Sequence, residues 1–497
     1  MKRGIFLAIL SGLMLALSFP GADLWPLAWV GFVPVFLALK DKSQKQSFLL
    51  FLITGLVFWT LTVYWLAHVT LLGTIALIIY LSLYFAFFAL IIRPFTKQSK
   101  IYGLIFVPSV WVLLEYVRAH LFSGFPWALL GYSQYLNLPV IQISDLAGAY
   151  GVSFLLVFTN AAIVEMIWAK RNKFLSRFKI VAIILIALLS LTLGYGYYNL
   201  NRRPATGDHR PVRISVIQGN IPQELKWRRE ANDFITDKYS RLTLAAARQK
   251  PELIIWPEAS VPVVPEDEPE YFTKIESLAR ESGVPILAGA VTLRDNLYYN
   301  SALLLSARGR LIGRYDKLHL VPFGEYIPLK KYFPFLESIA PIGDIEKGKD
   351  HTVFSLSSKF SVLICFEDLF PEISRDFIRT GAGFLVNITN DAWYKQTSAA
   401  RQHFQASVFR AVENHTYLAR AANTGVSGFI SPTGKILSLI KDKQGRDIFI
   451  DGYSSGEIAP RRGELTFYGR YGDIFIFLLS IFTLCVIFRV ILRRKKQ

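Results

Sequence analysis

The sequence predicts a multi-pass α-helical membrane bundle of about eight spans joined to a separate, sheet-rich α/β sandwich domain. Three observations carry that prediction. Hydrophobic residues make up 52% of the 497 and charged residues only 19%, too apolar a balance for a soluble protein of this length. Apolar runs of about 20 residues, the length a spanning helix needs, recur through the first 200 positions and return once near the end. Lys and Arg crowd into every second break between those runs, which is how membrane topology is written.

The runs lie at 4–20, 24–40, 47–68, 71–92, 101–122, 150–169, 179–199 and 472–491. Pro34 and Pro108 interrupt the second and fifth, an interruption that membrane helices tolerate. The first run has the look of a signal peptide, with Met1-Lys2-Arg3 ahead of the apolar stretch 5–17. The only small-x-small match, Ala16-Leu17-Ser18, overlaps that stretch, however, and Phe19-Pro20-Gly21 leads straight into the next apolar run. An uncleaved helix is therefore expected. The 38 phenylalanines suit lipid-facing surfaces.

The net charge of +18 raises nucleic acid as a partner, but its distribution argues against one. Residues 1–200 hold 14 Lys/Arg against 5 Asp/Glu, residues 201–470 hold 36 against 31, and residues 471–497 hold 5 against 1. The excess follows the breaks and the tail. Lys2 and Arg3 precede the first run. Lys40, Lys42 and Lys45 follow the second, Arg93, Lys97 and Lys100 the fourth, and Lys170, Arg171, Lys173, Arg177 and Lys179 the sixth, while Arg493, Arg494, Lys495 and Lys496 end the chain. The breaks at 20–24, 68–72 and 122–150 have neither Lys nor Arg. Both termini are thus expected in the cytoplasm and segment 201–471 on the far side, the periplasmic or outer face of a bacterial inner membrane. The expected division is a membrane domain over 1–200, an extracytoplasmic domain over 201–471, and a final span with a basic tail over 472–497.

Within 201–471, strand-like stretches at 212–217, 253–256, 284–288, 301–305, 362–365 and 384–388 alternate with helical patterns at 230–248, 271–282 and 399–420. Hairpins are expected at 303–315, around Ala307-Arg308-Gly309, and at 425–439, around Pro432-Thr433-Gly434. No internal repeat is evident.

Three segments offer chemistry. In LIIWPEAS (253–260), a buried strand ends at Trp256-Pro257, and Pro257 turns Glu258 away from the ladder at the lip of an apolar sheet, a place suited to a general base. A surface glutamate in a loop is the blander account. In RYDKLHLVPFGEYIP (314–328), Lys317 could stabilise an oxyanion or be an ordinary surface lysine. Glu325 is a second active-site carboxylate or a loop cap, and His319 is available for hydrogen bonding. In SVLICFEDLFPEISR (361–375), Cys365 ends a strand, Phe366-Glu367-Asp368 turns, and Pro371 opens a helix. That layout exposes a nucleophile and brings helix dipoles that favour a thiolate and an oxyanion alike. A buried structural cysteine is the alternative, but a lone thiol on the oxidising side of a membrane is a liability unless it is used. The other cysteine, Cys485, lies in the last apolar run, and the two are not expected to pair. No HExxH, CxxC or P-loop appears, and no GxGxxG in a suitable context, so neither a metal nor a cofactor is expected. His403 and His415, 12 apart on one predicted helix, are too distant for joint ligation.

Glu, Lys and Cys in this order and these contexts resemble the nitrilase (carbon–nitrogen hydrolase) superfamily. Together with the helices, and with the segments IQGNIPQELKW (217–227), IIWPEAS, LVPFGEYIP, ICFED, NDAWY (390–394) and FPWALLGYSQ (125–134), the chain resembles the apolipoprotein N-acyltransferases. The resemblance implies an αββα sandwich and a triad of Glu258, Lys317 and Cys365. It further implies supporting carboxylates Glu325 and Glu367 and a tryptophan, Trp227, on a loop near the site. It also implies acyl transfer through a cysteine thioester, with phospholipid as donor and the diacylglyceryl-cysteine N-terminus of an apolipoprotein as acceptor. Two positions depart from the family pattern: Phe366 stands where Tyr is usual, and Lys395-Gln396 follow Tyr394 where Gly is usual. The apolar segment 331–341 is expected to line the lipid entrance or to pack as an ordinary loop. Glu115 and Arg118, three apart in the fifth run, are expected to orient a lipid headgroup or brace the bundle. A membrane-anchored amidase using water as acceptor is the alternative, and it would need one anchor rather than eight spans. A transporter with an inert outer domain is the other.

Overall fold

The computed structural model describes residues 1–96, 103–201, 210–327, 330, 344–461 and 463–494. The segment 331–341 lies outside the described residues, as do most of the basic residues of the 97–100 break and the tail. The chain divides into two compact units, one of residues 1–202, 397–405 and 466–497, the other of residues 203–396 and 406–465.

The first unit is helical. Among the described residues, four of its helices are long and apolar enough to cross a membrane: Gln44–His68, Leu71–Arg93, Ser144–Arg171 and Leu175–Asn201. They match four of the expected runs. The others come out differently. The first run is a 16-residue helix, Lys2–Leu17. The run 24–40 is not one helix but a 3-10 turn, Trp25–Trp29, and a six-residue helix, Val33–Ala38, each with a proline in its opening turn. A broken segment frees backbone groups that must find partners inside an apolar environment. Asn160 supplies two, accepting from Phe32 N at 2.8 Å and donating to Ala28 O at 2.9 Å, and Ser11 Oγ takes Val35 N at 2.9 Å. The fifth run forms Gly103–His120 with Pro108 inside, and the last forms Ile474–Arg494.

Glu115 and Arg118, both buried, do the same service for the irregular stretch that follows their helix. Arg118 Nη1 donates to Phe125 O and Trp127 O, each at 2.7 Å, and Glu115 Oε1 accepts from Leu130 N at 2.8 Å. Of the two roles expected for this pair, these contacts are those of a brace. Many phenylalanines face inward rather than toward lipid. Phe32, Phe36, Phe51, Phe58, Phe85 and Phe88 are buried, and Phe32, Phe85 and Phe88 meet the Trp111 ring edge-on at 4.8–5.2 Å.

Among the described residues, the second unit is built on twelve strands. In chain order they are β1 (Val212–Gln218), β2 (Leu253–Ile255), β3 (Ile286–Arg294), β4 (Leu297–Leu305), β5 (Leu311–Asp316), β6 (Phe354–Ser355), β7 (Lys359–Ile364), β8 (Phe384–Thr389), β9 (Leu418–Ala422), β10 (Gly428–Ile430), β11 (Ile436–Leu439) and β12 (Gly452–Ile458). One six-stranded sheet runs β12-β1-β2-β3-β4-β5, the other β11-β10-β9-β8-β7-β6. The centres β1-β2-β3 and β7-β8-β9 are parallel and nearly wholly buried, and the flanks are antiparallel. The sheets meet face to face: a side chain on Gly313 of β5 would strike the Phe354 ring of β6, and one on Gly456 of β12 the Phe429 ring of β10. Helices Asn232–Ala247 and Pro269–Ser282 bury Ile235, Tyr239, Leu242, Ile275 and Leu278 against Ile254, Ile286 and Leu303 of the first sheet. Helix Pro371–Arg379 covers the second. The result is the expected αββα sandwich.

Both expected hairpins form, as β4–β5 and β10–β11. The helix expected over 399–420 stops at Asn414. His415 turns into the left-handed region (φ 45°), and Leu418–Ala422 becomes the parallel strand β9. Leu, Ala and Arg are good helix formers, but burial on both faces decides for strand. β12, GYSSGEI, was not anticipated because it carries too little apolar pattern. It is recruited by β1 through backbone pairing and a Ser215–Ser455 hydroxyl contact of 2.7 Å.

Candidate active site

All the sequence-predicted site residues belong to the second unit. β2 ends at Ile255. Trp256 continues the ladder, donating its N–H to Leu287 O at 2.8 Å, and is locked by a 4.7 Å stack on Tyr239 and an indole bond to Thr243. Pro257 has no N–H to give, although its carbonyl still accepts from Gly289 N at 3.2 Å, and Glu258 follows, only 7% exposed. Its Oε1 accepts from Asn300 Nδ2 at 2.8 Å and lies 3.5 Å from Lys317 Nζ.

Lys317 is the first residue beyond β5, still tied to β4 through Lys317 N to Asn300 O at 2.9 Å. Its side chain is 1% exposed, and Nζ sits 2.9 Å from the Glu325 carboxylate. Burial works against the ammonium, but Glu325 and Glu258 more than offset it and hold Lys317 firmly protonated. It can therefore supply positive charge but not act as a base. Glu325 is presented by the turn around Pro322–Tyr326. It also accepts from Asn300 Nδ2 at 2.7 Å and from Val321 N at 2.8 Å. Glu325 thus caps its own loop and meets Lys317 and Asn300 at once.

Cys365 follows β7 with φ 55°, a left-handed backbone that costs a non-glycine residue about 1–2 kcal/mol. A 3-10 turn, Cys365–Leu369, leads into helix Pro371–Arg379. Glu367, wholly buried, holds this elbow. Its Oε2 accepts from Ile364 N at 2.7 Å, and its Oε1 from Tyr315 OH, Leu318 N and His319 N at 2.6–3.1 Å. One carboxylate therefore joins the cysteine's strand end to the lysine's loop. Burial pushes its carboxyl up to about 7 against those four hydrogen bonds. The His319 ring lies against Phe370, at 3.7 Å between centroids.

Burial also raises the Cys365 thiol well above its usual range, reinforced by Glu258 and opposed by Lys317 and by the Thr389 hydroxyl. Burial thus favours the neutral thiol at rest, against the pull of the nearby helix start toward a thiolate. Glu258 is the carboxylate whose charge bears most on it.

Phe366 stacks on Tyr394 with rings 9° from parallel at 6.2 Å, so the ring survives where the usual tyrosine is missing. Lys395 adopts φ 52° and ψ −164°, a backbone region open mainly to glycine, so the lysine that stands in the usual glycine's place is strained. Trp227 is half exposed at φ 72° on the loop before helix Asn232–Ala247.

Two residues near Glu258, Lys317 and Cys365 went unrecognised in the sequence. Asn300, on β4, bridges both carboxylates. The only signal was a polar residue inside an apolar strand. Lys226 is buried, and its Nζ donates to Glu258 O at 3.2 Å and Ala259 O at 3.0 Å, clamping the backbone that carries the Glu258 carboxylate. Burial pulls it down to about 8. Its segment, IQGNIPQELKW, carried the family resemblance, but nothing in it marked Lys226 as the residue that meets Glu258. Among the described residues, no group of three or more His, Cys, Asp or Glu gathers as a metal site.

The family model for the apolipoprotein N-acyltransferase N-terminal domain matches residues 11–162, and that for carbon-nitrogen hydrolase matches residues 213–458. An apolipoprotein N-acyltransferase of Geobacter metallireducens is 40% identical over 494 residues, covering 95% of this chain and 92% of its own. One of Methylococcus capsulatus is 34% identical over 378 residues (74% and 70%), and one of Pasteurella multocida 28% over 519 residues (100% and 98%). Among solved structures, an amidase from Nesterenkonia sp. is 20% identical at a TM-score of 0.40, covering 54% of this chain and 96% of that one. With a relative this similar along nearly its whole length, the chain belongs to the apolipoprotein N-acyltransferase family.

Proposed function

We propose that the protein takes an acyl chain from a phospholipid onto Cys365 and passes it to the α-amine of the diacylglyceryl-cysteine that begins an apolipoprotein. The observation that carries this reading is a buried, protonated thiol on a left-handed elbow, acted on by Glu258 and Lys317, which themselves lie 3.5 Å apart. Glu258 takes the thiol proton as sulfur attacks the ester carbonyl. Lys317 and the backbone N–H of Phe366 hold the oxyanion. Loss of one such donor typically costs about 3 kcal/mol in the barrier. The tetrahedral adduct collapses to a thioester as the glycerol oxygen leaves with the proton from Glu258. The incoming amine then attacks the thioester, Glu258 accepts its proton, and the thiol returns as the amide forms, giving ping-pong kinetics. Half-exposed Trp227, Phe323 and Trp393 on loops adjoining the site suit a lipid substrate.

The membrane assignment belongs to the same reading: eight crossings, a membrane domain over 1–200, a catalytic domain over 201–471 on the periplasmic side, and a last crossing with a cytoplasmic tail over 472–497. The alternation of basic breaks supports it.

Intact-protein mass spectrometry tests the reading. Purified enzyme given phospholipid without acceptor should gain one acyl mass, removable by neutral hydroxylamine, and Cys365→Ala should gain none. Absence of any adduct on active enzyme would remove covalent catalysis.

A further inference from the structure

Cys365 is held in a conformation that cysteine does not choose, and the reason lies beneath it. Leu363, Asn387 and Arg420 occupy one register row across the parallel strands β7, β8 and β9. Asn387 Nδ2 donates to Cys365 O at 3.1 Å and to Leu363 O at 3.2 Å. Its Oδ1 accepts from Arg420 Nη1 at 2.6 Å. Arg420 Nη1 also reaches Asp368 Oδ2 at 2.8 Å and Ser407 Oγ at 2.9 Å, and Ser407 Oγ donates to the same Asp368 oxygen at 2.5 Å. Arg420 Nη2 lies 3.5 Å from Asp391. Asn387, Arg420, Asp368 and Ser407 are all fully buried.

This arrangement has one orientation. A guanidinium can only donate, so the amide oxygen of Asn387 must face Arg420 and its NH2 must face the carbonyls. The carbonyl of Cys365 is thereby pinned toward Asn387. A trans peptide sets the following N–H antiparallel to that carbonyl. Pinning Cys365 O inward therefore aims the Phe366 N–H the opposite way, to the side where the thiol's substrate must sit.

We propose that Asn387, oriented by Arg420, is a positioning residue that fixes the Cys365–Phe366 peptide plane and so sets the backbone donor for the oxyanion. It touches no substrate. This inference rests on Cys365 being the nucleophile, and the test separates the two.

Full-length wild type, Asn387→Leu and Arg420→Lys, purified in phospholipid-containing micelles, are each assayed three ways. Iodoacetamide alkylation of Cys365 reports thiol access and needs no oxyanion donor. The rate of acyl-adduct formation from phospholipid does need one. The phospholipid dependence of that rate gives KM. The expected result for Asn387→Leu is alkylation within about threefold of wild type, unchanged KM, and acylation slowed roughly 100-fold, the loss of one oxyanion donor. Arg420→Lys keeps the charge but loosens the amide, and acylation should slow about tenfold with alkylation again preserved. Should Asn387→Leu not fold, the lysine variant carries the same comparison. Alkylation and acylation falling in parallel would make the network merely structural and overturn the proposal, as would undiminished acylation. A wild type that alkylates but never acylates would sink the nucleophile assignment itself, and this inference with it.

Discussion

Glu367 ties the site together, since four donors, from the end of β7, from β5 and from the loop after β5, end on its two oxygens. Its carboxyl sits at about 7 in the folded protein against 4.5 for an ordinary glutamate. Between those values the folded chain binds a proton that the unfolded chain releases, so this group's stabilising contribution is complete below about pH 4.5 and fades as pH rises through 7. The shift is worth on the order of 3 kcal/mol. Thermal unfolding followed from pH 5 to 8 should show wild type losing stability as pH rises, with a flatter profile in Glu367→Gln. The glutamine should also be less stable at every pH in that range, because its NH2 must face at least one of those donors. The fourfold role was not visible beforehand. The sequence marked Glu367 by its place beside Cys365, but Tyr315, Leu318 and His319 lie about fifty residues away and reach it only once β5 and β7 are folded.

Strands decide where the charges end up. β3 passes beneath the end of β2, and Gly289 lies so near it that an added Cβ would meet Pro257 O at 2.5 Å and Glu258 Cα at 2.6 Å. Neither is a flexible side-chain tip, so the backbone of the base must move. Gly289→Ala should cost about 1–3 kcal/mol of stability from overpacking. Acyl-adduct formation should fall at least tenfold, and Cys365 alkylation should fall with it, since both need Glu258 to take the thiol proton. A rate unchanged from wild type would mean that the Glu258 segment has slack the packing does not suggest. The elements that hold the proposed triad were legible because each has a local signature: an apolar strand run into Pro257, a hairpin before Lys317, and Pro371 opening a helix after Cys365. β9 and β12 were not, because their identity comes from neighbours rather than from their own residues. Leu418–Ala422 reads as helix until β8 is beside it, and Gly452–Ile458 reads as loop until β1 is.

Each unit taken whole shows what sequence patterning can and cannot carry. In the helical unit the apolar runs located the helices, but not the break at 25–38, where Asn160 and Ser11 replace a continuous ladder. In the sandwich no repeat was evident in the residues, yet the two sheets follow one plan. Three parallel strands carry an antiparallel strand on one side (β12 or β6) and a two-strand meander on the other (β4-β5 or β10-β11). On that plan, β12 is the cover for β1. Replacing residues 452–458 in the full chain with a glycine–serine stretch of equal length should leave β1 as an open, apolar edge. The yield of monodisperse protein on size exclusion should then fall severalfold, while conservative exchanges within those seven residues leave it intact.

The pairing of β12 with β1 also dictates a timetable for the newborn chain. Ser215 and Ser455 touch across 240 positions. A ribosome adding roughly 5–20 residues per second takes on the order of ten to fifty seconds to cover that gap. Throughout that interval the first strand of the sandwich has no cover along one side. The strand that supplies it emerges only just ahead of the closing apolar helix Ile474–Arg494. Completing the sandwich and delivering the last hydrophobic segment are thus nearly one event. A chain stalled anywhere in the preceding hundreds of codons would be left with a sticky, unfinished sheet, a natural target for quality-control proteases.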